Sequence, residues 1–432
     1  MAPLARPDTT TVSGKWLLVV LISGLALIGV LFAWGVLPAD GGPSTIASNN
    51  GSSPVVYLAP VTGAHDAQAV TIANTAYAFM ADGLSRSWVA QLRLFSNSEH
   101  SAKDPQPVSY RIETQIGDGV DGNKMLFVRL SDVRSSTMLW SNSVILDARQ
   151  PLADNIAPII SQLVSPFGAI ARHETQLANG DYSAGYTCLL GYLGYLSSRA
   201  PELREPIRSC LQKPAPGARL EAVRFAFLSF FALDRDREIS SSSAAIQEAV
   251  VLARQATSID PKEAYGQFSL ARAYFINNDC GSGRRYSQLA IDANRYDPSL
   301  LAVLGNFSSA CGFDEGAEML DTAYKYRVEG ESYARLSLIL AAIRTGDVQR
   351  LATLREAGKG FDTVSAPYHY LCETLIATSL GDKALAKANW TRFVRATGKA
   401  EQSADAMIRP LILADAVRAK VILYLTSHGI IE

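Results

Sequence analysis

The residues that could do chemistry in this sequence are scattered rather than assembled. Five histidines, His65, His100, His173, His369 and His428, have no Cys, Asp or Glu partner at metal-ligand spacing, and no HExxH, CxxC or GxSxG occurs. The run Gly117-Asp118-Gly119-Val120-Asp121-Gly122 has the GxGxxG form, which cradles phosphate when it follows a parallel strand and opens a helix. Here it opens a strand pattern instead, so its expected role is a hairpin loop in which Gly and Asp supply positive φ. As a calcium loop it lacks the bidentate Glu that such a loop carries at its end. The five cysteines, Cys188, Cys210, Cys280, Cys311 and Cys372, each lie in or beside an apolar helix pattern. Buried free thiols are one reading; pairing of Cys188 with Cys210 and of Cys280 with Cys311 is the other. No catalytic residue, metal site or cofactor is expected, and a binding protein is favoured over an enzyme.

The elements that would position a binding surface begin beyond Gly180, where strand signals stop and helices of 12 to 15 residues alternate with short turns. The turn positions Asn278-Asp279, Gly312, Gly346-Asp347 and Gly381-Asp382 are separated by 34, 34 and 35 residues. That is the tetratricopeptide period. Residues 180–400 are therefore expected to form tetratricopeptide-like repeats, about six helix pairs stacked into a curved superhelix, with 401–432 as a carboxy-terminal capping helix. The second helix after Asn278 carries extra residues around Gly281-Ser282-Gly283, and the small-residue positions are poorly met near Gly346 and Gly381.

The resemblance to that repeat family implies a concave groove lined by the first helix of each pair. It would place Tyr265, Arg272, Asn306, Ser309, Tyr333, Arg344 and Tyr368 along the groove, where a protein or peptide partner binds. Tyr265, Tyr333 and Tyr368 share one repeat phase, with Ser299 at the fourth equivalent place. Tyrosines at that phase either line the groove or pack between repeats, and aromatic stripes are more often core.

Upstream, residues 54–173 read as an α/β domain: a strand in PVVYLAP, an amphipathic helix over 71–92, a second strand candidate in LRLFS (92–96), three strands in a meander, and a closing helix begun by Pro151. The order VYLAPV, MADGLSRSWVAQL, YRIETQI, MLFVRLSDVRSSTMLWSNSV and IARHE resembles the TolB amino-terminal-like module. That module precedes repeats in some bacterial adenylate cyclases and in membrane regulators of the CadC type. The resemblance implies an α/β domain without a known catalytic centre.

At the amino end, residues 16–37 hold 22 residues without a charge, the length of a membrane-spanning helix. Arg6 and Lys15 precede it and Asp40 is the first charge after it. The expected layout is a cytosolic tail (1–15), a transmembrane helix (16–37), a flexible linker (38–53), the α/β domain, then the all-α solenoid. Charge asymmetry places the amino terminus in the cytosol and the bulk in the periplasm, in a bacterial inner membrane. With 40 Lys+Arg against 41 Asp+Glu, no basic footprint for direct nucleic-acid binding is present. The functional expectation is a membrane-anchored envelope protein whose repeats bind a protein or peptide, in sensing or scaffolding. Two alternatives stay open. One is the sensor half of a CadC-like system lacking its own DNA-binding domain, since only about 15 residues precede the apolar segment. The other is an accessory protein of polysaccharide or envelope assembly.

Overall fold

Four residues, Val55–Leu58, form the interior strand β1, and the chain needs a helix to return parallel beside it. That helix, α1 (Ala67–Arg86), starts where Asp66 accepts the Ala69 N–H at 2.7 Å, and leads to β2 (Gln91–Leu94). Then β3 (Val108–Asp118), β4 (Lys124–Asp132) and β5 (Thr137–Leu146) run as an antiparallel meander. The sheet order is β2-β1-β3-β4-β5, with β1 parallel to both β2 and β3. Alternation along β3 sends Tyr110, Ile112, Thr114 and Ile116 inward and Arg111, Glu113 and Gln115 outward. The inward face is covered by α1 and by α2 (Leu152–Val164), followed by α3 (Ala169–Ala178). Gly83 lets α1 and α2 approach closely, because a Cβ there would lie 2.5 Å from Ile160. This computed structural model describes residues 51–94, 108–119, 123–147, 149–183, 185–198, 201–235, 243–327, 335–358, 366–412 and 415–432.

Helices alone follow: α4 (Gly185–Ser198), α5 (Pro201–Leu211), α6 (Gly217–Arg235), α7 (Ser243–Ile259), α8 (Ala264–Ile276), α9 (Cys280–Ala293), α10 (Pro298–Ala310) and α11 (Glu315–Tyr326). After them come α12 (Arg335–Thr345), α13 (Val348–Ala357), α14 (Ala366–Ser379), α15 (Lys383–Thr397), α16 (Ala404–Ile408) and α17 (Asp415–Ser427). Successive helices pair as α6/α7, α8/α9, α10/α11, α12/α13 and α14/α15. The repeat period is visible in the backbone: Asn278, Gly312, Gly346 and Gly381 all have positive φ, of 59, 82, 67 and 77°. After three of these turns an aspartate caps the next helix, Asp279 on Ser282 N–H, Asp347 on Arg350 N–H and Asp382 on Leu385 N–H. What results is a small sheet-bearing region followed by a mostly helical, solenoid-like one.

The two regions share one apolar core that continues from Val56 to Ile430, and residues from Asn49 onward form one compact unit. Trp88 joins them. The sequence pattern carries the first helix to Leu92, but α1 ends at Arg86, and Trp88 turns into the helical region edge-on to Tyr186, Phe227 and Tyr265. Polar bonds add to the junction: Ser161 Oγ donates to Tyr296 O (2.6 Å) and Arg86 Nη1 to Asp292 O (2.7 Å). Arg219 Nη1 donates to Ser85 O at 2.9 Å. Two disulfides staple the helices, Cys188–Cys210 between α4 and α5 and Cys280–Cys311 between the start of α9 and the end of α10. Cys372 is a buried free thiol, pushed up to about 12 by burial.

The membrane assignment requires correction. A span needs roughly 20 largely apolar residues, and no helix among the described residues is long and apolar enough to cross a membrane. The longest, α1 and α6, carry Asp82 and Arg86, and Arg219, Glu221, Arg224 and Asp234. The expected spanning helix over 16–37 and the tail 1–15 lie outside the described residues. A fold beginning with a transmembrane helix, and localisation in a bacterial inner membrane, are therefore not carried forward. Of the expected linker 38–53, the last three residues are described and are tied down: Gly51 O accepts the Tyr186 N–H at 2.6 Å and Ser53 Oγ donates to Trp88 O at 2.8 Å.

Candidate functional site

Helical spacing on four helices converges on one cavity. Asn306, Ser309 and Ala310 of α10 and Leu340, Ile343 and Arg344 of α12 each follow an i, i+3, i+4 pattern, which puts three side chains on one helix face. Leu375 of α14 adds an apolar wall. The fourth wall is α17, whose Val417, Lys420, Val421 and Tyr424 continue the same periodicity. The cavity, half open to solvent, has a volume of about 250 Å³. Tyr424 hydroxyl and Ser379 Oγ are 2.8 Å apart, which ties α17 to α14. Arg418 anchors the base of α17, donating to Asp405 Oδ1 at 2.6 Å and to Ile412 O at 2.9 Å.

The electrostatics of the cavity are one-sided. Its interior is largely apolar, whereas Arg344 and Lys420 are exposed at its mouth. Neither cation has a carboxylate partner among the described residues. Ser309 Oγ is buried without a hydrogen-bond partner among them. Such a site favours a ligand with an apolar body and a negative end, because the wall repays the apolar surface and the mouth attracts the charge.

Three of the seven groove residues expected from the sequence, Asn306, Ser309 and Arg344, thus meet in one place. Tyr265 and Arg272 do not join them. Tyr265 is buried, its hydroxyl donates to Asp297 Oδ2 (2.9 Å), and Phe227 and Phe268 pack against its ring. Arg272 is buried too, 3.4 Å from Asp234 Oδ1, with its guanidinium 4.8 Å from the centre of the Phe230 ring. Tyr368 is half-buried and its hydroxyl accepts the Leu336 N–H at 2.9 Å, closing the start of α12. Tyr333 lies outside the described residues. Sequence reasoning missed the contribution of α17, which it read as a cap over the last pair. The recurrence of Val417, Val421 and Tyr424 with Lys420 between them was the available signal.

Below Tyr265 lie two buried carboxylates with structural roles. Glu263 accepts the Tyr265 N–H at 3.3 Å, and Asp297 accepts the Ser299 and Leu300 N–H groups at 3.0 and 3.2 Å. Burial pushes Glu263 up to about 8, overriding the Arg219 guanidinium 3.6 Å away. Burial raises Asp297 to about 6, opposed by the bonds it accepts from Leu300, Tyr265 and Ser299. A second polar knot joins the sheet to α3: the Tyr110 hydroxyl lies 2.9 Å from His173 Nδ1, donates to Glu174 and accepts from Arg134 Nη2 (3.0 Å). Burial is the largest cause holding the Tyr110 hydroxyl above its usual range.

The glycine-rich loop joins two antiparallel strands and opens no helix, with Gly119 N–H donating to Asn123 O at 2.7 Å; residues 120–122 are outside the described set. Among the described residues no group of three or more His, Cys, Asp or Glu side chains is placed to hold a metal ion. No protein-family model matches the chain, and no curated protein matches it in sequence.

Proposed function

We propose that this protein is a docking module whose helical repeats bind a protein or peptide partner, in scaffolding or sensing. The cavity of α10, α12, α14 and α17 takes the partner's anchor. The observation that carries this reading is the pairing of a largely apolar interior with two cations at the mouth that have no carboxylate partner among the described residues. An engineered 150 Å³ apolar cavity holds a benzene ring, so about 250 Å³ accommodates one large apolar side chain. The preferred segment is therefore a Leu, Ile, Phe or Met next to Asp or Glu. Three further features support docking over chemistry: the regular left-handed turns, the apolar helix faces stacked pair on pair, and the scattered histidines. In this reading the helix pairs are tetratricopeptide-like and the sheet region is TolB-amino-terminal-like.

Fluorescence anisotropy with a panel of labelled peptides tests it. Peptides pairing an acidic residue with a large apolar one bind, and the Arg344→Glu, Lys420→Glu double variant weakens them about tenfold or more, in line with losing two charge contacts at the rim. Scrambled basic peptides binding equally well, or an unaffected double variant, would refute the assignment.

A further inference from the structure

The helices cover one face of the sheet, and a cavity of about 230 Å³, half open to solvent, lies on the other. Its floor is the outward row of β3, Arg111, Glu113 and Gln115. One wall comes from β4, where alternation puts Phe127 and Arg129 on the same face. The other wall is a bulge. Just past β1 the Ala59 N–H reaches Ile112 O at 2.9 Å, and regular parallel pairing would bring the Val61 N–H to Thr114 O. The Thr62 N–H makes that bond instead, at 3.0 Å, so the chain holds one residue more here than the ladder needs. Pro60, which has no N–H to leave unpaired, stands exposed beside the cavity. Two guanidiniums and one carboxylate line the site. Glu113 lies between them: Arg111 Nε is 3.0 Å from its Oε1, and its cross-strand partner on β4 is Arg129. Arg129 is exposed and has no carboxylate partner among the described residues. The Arg111–Glu113 pair is itself half exposed, and an ion pair so exposed is weak enough to open for a ligand.

We propose that this cavity binds a free acidic α-amino acid of the aspartate or glutamate type. Such a ligand carries two carboxylates and one ammonium, and the site presents the complementary set, two guanidiniums and one carboxylate. Each guanidinium is a planar fork that can hold a carboxylate through two N–H groups, while Glu113 accepts from the ammonium. Arg111 and Arg129 stand diagonally across β3 and β4, a spacing of roughly 7–8 Å that the two ends of such a ligand can bridge. Charge selects against the simpler relatives. A monocarboxylate leaves one guanidinium unanswered, and a dicarboxylate without an amine meets Glu113 as a like charge. Phe127 and Pro60 offer carbon to the ligand's methylene groups. The size fits as well, since a cavity of about 150 Å³ already holds a benzene ring. No residue of this site belongs to the cavity of α10, α12, α14 and α17, so the assignment does not depend on docking there.

Isothermal titration calorimetry on the full chain tests this with three probes: L-glutamate, glutarate, which keeps both carboxylates but lacks the ammonium, and L-glutamine, which lacks the second carboxylate. Glutamate should bind once per chain, and each of the other two should bind about tenfold more weakly or worse. Arg129→Gln should weaken glutamate by about tenfold or more, whereas Glu113→Gln should abolish the preference for glutamate over glutarate. Both side chains are exposed, and unchanged melting temperatures would show that the variants fold. The Arg344→Glu, Lys420→Glu double variant should bind glutamate as the unaltered chain does, which separates this site from the docking cavity. No binding of glutamate at millimolar concentrations, equal binding of glutarate, indifference to Arg129→Gln, or loss of binding in the Arg344, Lys420 double variant would each overturn the proposal.

Discussion

At the amino end of the repeat array, Tyr265 and Arg272 on α8 are each 4% exposed, sealed by aromatic rings of α6 and by Trp88 from the sheet region. One and two pairs further on, Asn306 and Ser309 of α10 and Arg344 of α12 look into a cavity. The difference comes from what lies opposite. At one end a tryptophan and two phenylalanines pack against Tyr265 with matching apolar surface. At the other the opposing element is α17, which meets the repeats through Val417 and Val421 and leaves a gap between them. Repeat phase selects a helix face, and the element packed against that face decides whether it becomes core or site.

The largest effect expected from this contrast is on stability. Tyr265→Ala should cost about 3–5 kcal/mol, the range for truncating a buried aromatic side chain, and should lower the melting temperature with every reporter moving together. A loss below about 0.5 kcal/mol would mean that the position behaves as surface, and the contrast would fail. The Cys280–Cys311 disulfide spans the boundary between the two ends, with a sequence separation of 31. Replacing both cysteines by alanine should cost about 3–4 kcal/mol if loop entropy dominates. In urea, protection of α9 amides should fall further than that of α4 amides, measured by hydrogen exchange.

How far the sequence was legible follows the same line. The period was readable because left-handed turns demand Gly or Asn, and Asn278, Gly312, Gly346 and Gly381 recur at that spacing. The strand alternation in β3 and β4 was equally plain, since one face is buried and the other is not. The fate of Tyr265 was not readable, because it depends on Trp88, nearly 180 positions away in the chain, and on a helix that stops at Arg86 rather than continuing through Leu92. Nor was the cavity, whose fourth wall is α17. Its apolar positions fit a cap over the last pair as well as a helix laid against α10 and α12. The membrane span was a reading of hydropathy over residues 16–37, while every long described helix carries charges along its length.

A smaller effect is expected from pH, and it belongs to the buried end alone. Glu263 keeps its proton up to about pH 8 in the folded chain, whereas in the unfolded chain it releases it in the ordinary carboxylate range. Its contribution to stability is therefore fully present below that range and is lost as pH rises towards 8. Asp297, raised to about 6, acts in the same direction over a lower window. Thermal melts of the unaltered chain should fall between pH 5 and 8, and Glu263→Gln, which keeps the shape but not the charge, should flatten that fall. An unchanged slope in the variant would remove Glu263 from the account. At the open end Arg344→Ala should change stability by under about 0.5 kcal/mol, since the side chain is exposed and has no carboxylate partner among the described residues.

The central claim is that partners are recognised at the carboxy end of the array and not at its amino end. A benzophenone amino acid placed at Lys420, at the mouth of the cavity, or at exposed Arg254 on α7 converts that claim into a single crosslinking comparison. With an acidic, apolar peptide at a concentration that saturates the unaltered chain, illumination should attach the peptide to the chain labelled at 420 and leave the one labelled at 254 free. Attachment at 254 with none at 420 would contradict the account.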